Sequence, residues 1–277
     1  MDPAGTRQQE AVRQLIVRRG DVTVEVFVQG SGDPVVLLPS LGRGAADFDE
    51  VARLIEQAGH LVVRPQPRGF GQSQGPTENL TLHDLASDVA AAVEEAGVRD
   101  AIVVGHAFGS QPARMLAHSR PELVRGLVLA AASAGKVPPT LTERPYGRLR
   151  EEIDGAGNPE LSEEERVRCL RAAFFAPGHD PRVWLEGWSW PTHLMQAHAR
   201  ENTPVDEYFP AGGVPILDLQ AEHDAVVIPN LYLPLLGADR VTEEVIQGAG
   251  HALLPERPAE CADAIIRFAA SVPPRQS

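Results

Sequence analysis

Two rhythms of apolar and polar residues alternate along this chain. Residues 12–19 and 22–28 place apolar side chains at every second position, separated by Gly20-Asp21, which predicts an antiparallel hairpin. Val35-Val36-Leu37-Leu38 is apolar without interruption, as in a strand buried on both faces. Residues 47–58 then carry a helical pattern, 60–64 form another short strand, and 82–96 read as an amphipathic helix with Thr81 as candidate N-cap. Residues 101–104 and 123–130 are two more buried strands, with a helix over 111–118 between them. Regular alternation of strand and helix predicts an α/β chain with a mostly parallel sheet and helices on both faces.

The rhythm breaks over 134–212. Helical patterns at 144–155, 162–175 and 182–201, the last interrupted at Pro191, follow one another without strands. Eight of the 14 aromatic residues fall in this stretch, among them all three tryptophans, Tyr146 and Tyr208. Strands resume at 214–220 and 241–246, and a last helix covers 258–268. The expected organisation is a core of residues 1–133 and 213–277 interrupted by a helical cap at 134–212. Trp184 and Trp188, four apart, are expected in the cap's own core. Trp190, His193 and Tyr208 are candidates to line a pocket beneath it.

Charge and composition narrow the partners. A formal net charge of −13 argues against nucleic acid or an anionic membrane surface. No apolar run is long enough to span a bilayer, and Met1 to Arg7 lack the basic flank and apolar core of a signal peptide, so a cytoplasmic location is expected. Cys169 and Cys261 stand far apart without metal-ligand spacing, and read as free thiols. The nine histidines show no H-E-x-x-H pattern, and no Gly-x-Gly-x-x-Gly follows the first parallel strand. Neither a metal nor a cofactor is expected, and the sequence leaves the oligomeric state open.

The chemistry centres on Gly105-His106-Ala107-Phe108-Gly109, between a strand and a helix. Glycines two before and two after the centre suit a strained turn in which side chains would strike neighbouring backbone. The stretch resembles the nucleophile elbow of the α/β-hydrolase superfamily, with Ala107 where serine is usual. Two later segments extend the resemblance. Gln220-Ala221-Glu222-His223-Asp224 follows the resumed strand, and Gly248-Ala249-Gly250-His251 follows the last one. The order nucleophile, acid, histidine is that of the superfamily, which implies Asp224 as orienting acid and His251 as general base. Glu222 and Asp218 are the alternatives for the acid. His106 is expected to pack under the turn.

The resemblance also implies an oxyanion hole made by the N–H groups of Phe108 and Leu41. The loop Pro39-Ser40-Leu41-Gly42 lacks the His-Gly pair often found there, and Ser40 reads equally as a substrate contact or as a turn serine bonded to its own backbone. Residues 67–73 are similar to the superfamily's D-x-R-G-x-G-x-S loop, with Gln66 in place of the aspartate, and are expected to be structural.

Three readings of Ala107 compete: a laboratory substitution of a catalytic serine, a natural ligand-binding pseudoenzyme, and an enzyme with another nucleophile. Ser110 lies too far into the helix for the third. The retention of both acid and base favours the first. The implied activity is hydrolysis of a small-molecule carboxylic ester or lactone, bulky and apolar or aromatic, with C–C bond and amide hydrolysis open to the same triad.

Overall fold

The computed structural model of the chain describes residues 11–132, 136, 138 and 149–275. The hairpin forms as β1 (Arg13–Arg19) and β2 (Val22–Gly30), and the buried run as β3 (Asp33–Leu38). They are followed by α1 (Asp49–Gln57), β4 (His60–Pro65), α2 (Leu82–Glu95), β5 (Ala101–His106), α3 (Ser110–Ser119) and β6 (Val124–Ala130). Thr81 caps α2 in a capping box with Asp84.

Between β6 and the next strand lie α4 (Arg150–Ala156), α5 (Glu163–Ala173), α6 (Trp190–Glu201) and the single turn α7 (Val205–Tyr208). The expected helix at 144–155 therefore falls partly outside the described residues, as does Tyr146. Residues 182–201 are not one interrupted helix. A 3-10 turn at Pro181–Trp184 is separated from α6, where Ser189 caps Trp190-Pro191. Proline at the second helical position starts that helix rather than breaking it. The chain finishes through β7 (Ile216–Ala221), α8 (Leu233–Leu236), β8 (Val241–Ile246), α9 (Leu253–Glu256) and α10 (Pro258–Ser271).

Among the described residues eight strands form one sheet in the order β1-β2-β4-β3-β5-β6-β7-β8, parallel from β4 to β8 and antiparallel at β1 and β2. Two cores cover its faces. α2 and α3 pack over one, and α1 and α10 pack together over the other. The order reverses between β3 and β5, because β4 lies on one side of β3 and β5 on the other. Crevices at the carboxyl ends of strands open at such a switch point. The loop after β3 and the elbow after β5 both emerge there. No helix among the described residues is long and apolar enough to cross a membrane.

Candidate active site

Backbone sterics build the elbow. A Cβ on Gly105 would collide with the Ser110 nitrogen and come within 2.5 Å of the Gly109 carbonyl carbon. One on Gly109 would strike the Leu38 carbonyl and lie 2.6 Å from that of Pro39. Both glycines let α3 start directly against β3 and β5. Ala107 at the apex has φ +48, in the left-handed region that costs a residue with a Cβ about 1–2 kcal/mol. The turn is thus held by packing on both sides against the preference of its central residue.

Opposite Ala107 stands His251, whose Nδ1–H donates to Asp224 Oδ2 at 2.9 Å. Both side chains are buried. The other oxygen of Asp224 accepts the N–H groups of Val226 and Val227 at 2.8 and 3.1 Å, so the carboxylate is satisfied from three directions. The alternatives for the acid lie elsewhere. Glu222 Oε2 accepts the Gly248 N–H at the surface. Asp218 sits within β7 beside Gln220, and burial together with the nearby Glu243 raises its pKa to about 7.

Two residues hold the histidine loop. His106 is fully buried, and its Nε2–H donates to the His251 carbonyl at 2.9 Å. Burial, then the neighbouring His251, depress its pKa to about 3, so it stays neutral. Glu256 accepts the Gly250 N–H at 2.6 Å and the Ala176 N–H at 2.7 Å, joining this loop to the segment between β6 and β7. A Cβ at Gly250 would meet Phe174 O at 2.6 Å. Glu256 carries no motif, and sequence reasoning missed it.

Ala107, Phe108, Leu41, Ser40, His193 and His251 line one pocket. Its remaining wall is Ile153, Phe174, Trp188, Arg200 and Val226. Trp188, expected in the cap's core, lines this pocket while resting edge-on against the buried Trp184. Trp190 is not among the pocket residues. It stacks on His193 at 4.7 Å, behind it. Tyr208 is also elsewhere, fully buried on Arg114 with Phe209 and Tyr232, at 5.0 Å from ring centre to guanidinium carbon. A buried guanidinium gains from aromatic faces, and that demand draws the tyrosine away from the site. His193 Nε2–H donates to Asp154 Oδ1 at 3.2 Å, an unforeseen second His–Asp pair.

Arg43, unremarked in the sequence, fastens the cover. It pairs with buried Asp47, donates to the carbonyls of Trp184 and Glu186, and lies over both Trp184 and Trp188 at 4.7 and 4.8 Å. The 67–73 loop is structural. Arg68 is bidentate to Asp88, Ser73 Oγ donates to Gln66 O, and Gln66 Oε1 accepts the Ala45 N–H. Cys169 and Cys261 are free and buried. No group of three or more His, Cys, Asp or Glu among the described residues is placed to hold a metal ion.

Comparisons with known proteins agree with this architecture. A family profile described as the alpha/beta hydrolase fold matches residues 33–161. The chain is 32% identical over 110 residues to RutD of Azorhizobium caulinodans, a stretch covering 40% of this chain and 41% of that protein. It is 27% identical over 225 residues to a non-heme haloperoxidase of Rhodococcus erythropolis, covering 73% of this chain and 80% of the other. Among solved structures, Rv0554 from Mycobacterium tuberculosis superposes with a TM-score of 0.76 at 23% identity, over 94% of this chain and all of that one. An esterase from Exiguobacterium antarcticum gives 0.74 at 18% identity, over 92% and 98%.

Proposed function

The chain is an α/β-hydrolase-fold protein, and from that premise we propose that its site is that of a serine-type hydrolase of carboxylic esters or lactones, silenced at one atom by Ala107. The carrying observation is the elbow itself. Ala107 is held at φ +48 at the pocket floor, opposite a buried His251–Asp224 pair. Ala131 and Ala211 are left-handed as well, so what sets Ala107 apart is its place on the pocket beside the His251–Asp224 pair, where a left-handed apex would project a nucleophile. In the serine form the hydroxyl attacks the acyl carbon. His251 takes its proton and returns it to the leaving group. The Leu41 and Phe108 N–H groups hold the oxyanion, and water activated by His251 then frees the acid. Of the expected cap at 134–212, the described part from residue 149 onwards covers this pocket. Phe174, Trp188, Ile153 and Val226 favour a bulky apolar or aromatic acyl or alcohol group.

The test is Ala107→Ser, assayed on p-nitrophenyl esters and aromatic lactones. The expected gain is on the order of 10⁶ in kcat, the cost of removing a triad serine elsewhere. His251→Ala in the serine form should erase it. A folded Ala107→Ser protein that hydrolyses none of these substrates overturns the reading.

A further inference from the structure

Acyl transfer through the enzyme needs a nucleophile, and Ala107 supplies none. A base borders one pocket together with Leu41 and Phe108, whose N–H groups the hydrolase reading assigns to the oxyanion, and a base and such donors are the two requirements for drawing a proton from carbon next to a carbonyl group. We propose that the chain as it stands, with Ala107, is a general-base site that enolises carbonyl compounds carrying an acidic α-hydrogen. The proposal uses the same pocket as the hydrolase reading but not the same step.

Four observations carry it. First, the base is complete and fixed. With Nδ1–H given to Asp224, the acceptor of His251 is Nε2, and the loop is pinned by His106 at its carbonyl and by Glu256 at the preceding amide. Second, the apex offers Nε2 no hydroxyl. Serine would place its Oγ between base and substrate, whereas the methyl of Ala107 leaves that position to a C–H bond. Third, the walls suit a charged intermediate. Ile153, Phe174, Trp188 and Val226 make an apolar part of the wall, beside the polar Ser40 and Arg200, and apolar surroundings strengthen the pull of the Leu41 and Phe108 N–H groups on an enolate oxygen. Fourth, the pocket holds a second proton carrier. His193 is 2% exposed, its Nε2 is engaged by Asp154, and its Nδ1 is buried with no partner among the described residues.

The step balances without a co-reactant. The α C–H bond breaks, its proton passes to His251 Nε2, and its electron pair forms the carbon–carbon double bond. The carbonyl π pair moves onto oxygen, where the two N–H groups hold it. Reversal returns a proton to carbon, and in D₂O that proton is replaced by deuterium.

Deuterium incorporation into phenylacetone, 2-tetralone and acetophenone, followed by proton NMR, tests this with the unaltered chain. Exchange is expected about 10²-fold or more above both His251→Ala and Asp224→Asn on at least one ketone. Asp224→Asn preserves the shape of the pair, so it answers the objection that His251→Ala fails to fold. His193→Gln should lower exchange by less than either. Ala107→Ser should slow it, because the hydroxyl then occupies the base. Exchange equal in the chain and in both dyad variants on all three ketones, bound or not, overturns the proposal. The two readings fail separately. Ester hydrolysis by Ala107→Ser without exchange by the Ala107 chain leaves only the first, and exchange without restored hydrolysis leaves only the second.

Discussion

The floor and the roof of the pocket are held by different means. Elements of the sheet make the floor. There the elbow is fixed by backbone approach, with glycines where a Cβ would meet main chain, and the Asp224 turn and the His251 loop by short buried ties from the Asp224, His106 and Glu256 side chains to main-chain groups. The described residues between β6 and β7 that line the pocket form its roof, attached mainly by side chains, beside two backbone bonds from Ser189 N–H to Gly42 O and from Ala252 N–H to Phe174 O. Arg43 reaches the carbonyls of Trp184 and Glu186, Gln196 accepts the Gly42 N–H at 2.8 Å, and Thr192 donates to Arg68 O at 2.8 Å. Backbone contacts tolerate almost no change, whereas a side-chain tie can be cut singly. The comparison thus predicts a floor that fails together with the fold and a roof that can loosen alone.

The sharpest break is expected at the floor. Gly109→Ala puts a methyl against two main-chain carbonyl oxygens that no rotamer can move. A loss of at least about 4 kcal/mol is expected, in the range reserved for such clashes. Urea unfolding followed by far-UV circular dichroism measures it, and a loss under about 1 kcal/mol would contradict the steric account of the elbow.

Cutting the roof's tie comes next. Arg43→Met strands the Asp47 carboxylate, which burial already pushes above its ordinary pKa, and it removes the cation from between two tryptophans. Stranding one partner of a buried pair costs about 3–5 kcal/mol, part of which relaxation of the loose cover should recover. Proteolysis within residues 149–201 before global unfolding, with a red shift in tryptophan emission, is the expected outcome. Unfolding of floor and roof in one transition at unchanged midpoint would erase the distinction.

A smaller effect separates two buried groups beneath the floor. His106 is held neutral, its pKa depressed to about 3. Between there and its unfolded value near 6.5 the unfolded chain binds more protons, so this group's contribution is lost as pH falls through that window. Asp218 behaves oppositely. Its pKa is raised to about 7, so the folded chain binds more protons above the unfolded value near 3.8, and stability falls as pH rises towards 7. The two offset each other from about pH 4 to 6.5. Asp218→Asn removes one side, and the stability of the variant should rise with pH more steeply than that of the parent, by up to about 1.4 kcal/mol per unit. Parallel curves from denaturation at several pH values would show that Asp218 is not protonated in the fold.

Much of the floor was legible because its determinants are local. Period-two and uninterrupted apolar runs marked all eight strands to within a few residues, and the steric demand of a strand–turn–helix put glycines at 105 and 109. The chain order pointed to Ala107, Asp224 and His251, since each follows a strand of one sheet, but left Glu222 and Asp218 open for the acid. The single-turn helices α7, α8 and α9 went unread, being too short to show a period. At the roof the reading was weaker. His193 and the 3-10 turn near Trp184 lay close to where helical spacing put them, and Trp188 packs on Trp184 as expected while also lining the pocket, but Tyr208 left the pocket for the core.

What the sequence alone determined, then, is the alternation that makes the sheet, the strained turn after β5, and the order in which acid and base arrive at its carboxyl edge. These follow from backbone sterics and from which residues can be buried, and both act over a few neighbours. Only the tertiary structure decided that Asp224 rather than Asp218 faces His251, that Glu256 joins two loops, and that Asp154 meets His193. It also decided that Arg114 claims Tyr208 for the core. Each of those choices depends on which side chain can satisfy a buried charge or an unpaired N–H brought near from far along the chain. No periodicity records that requirement, because the partners meet only once the fold has closed.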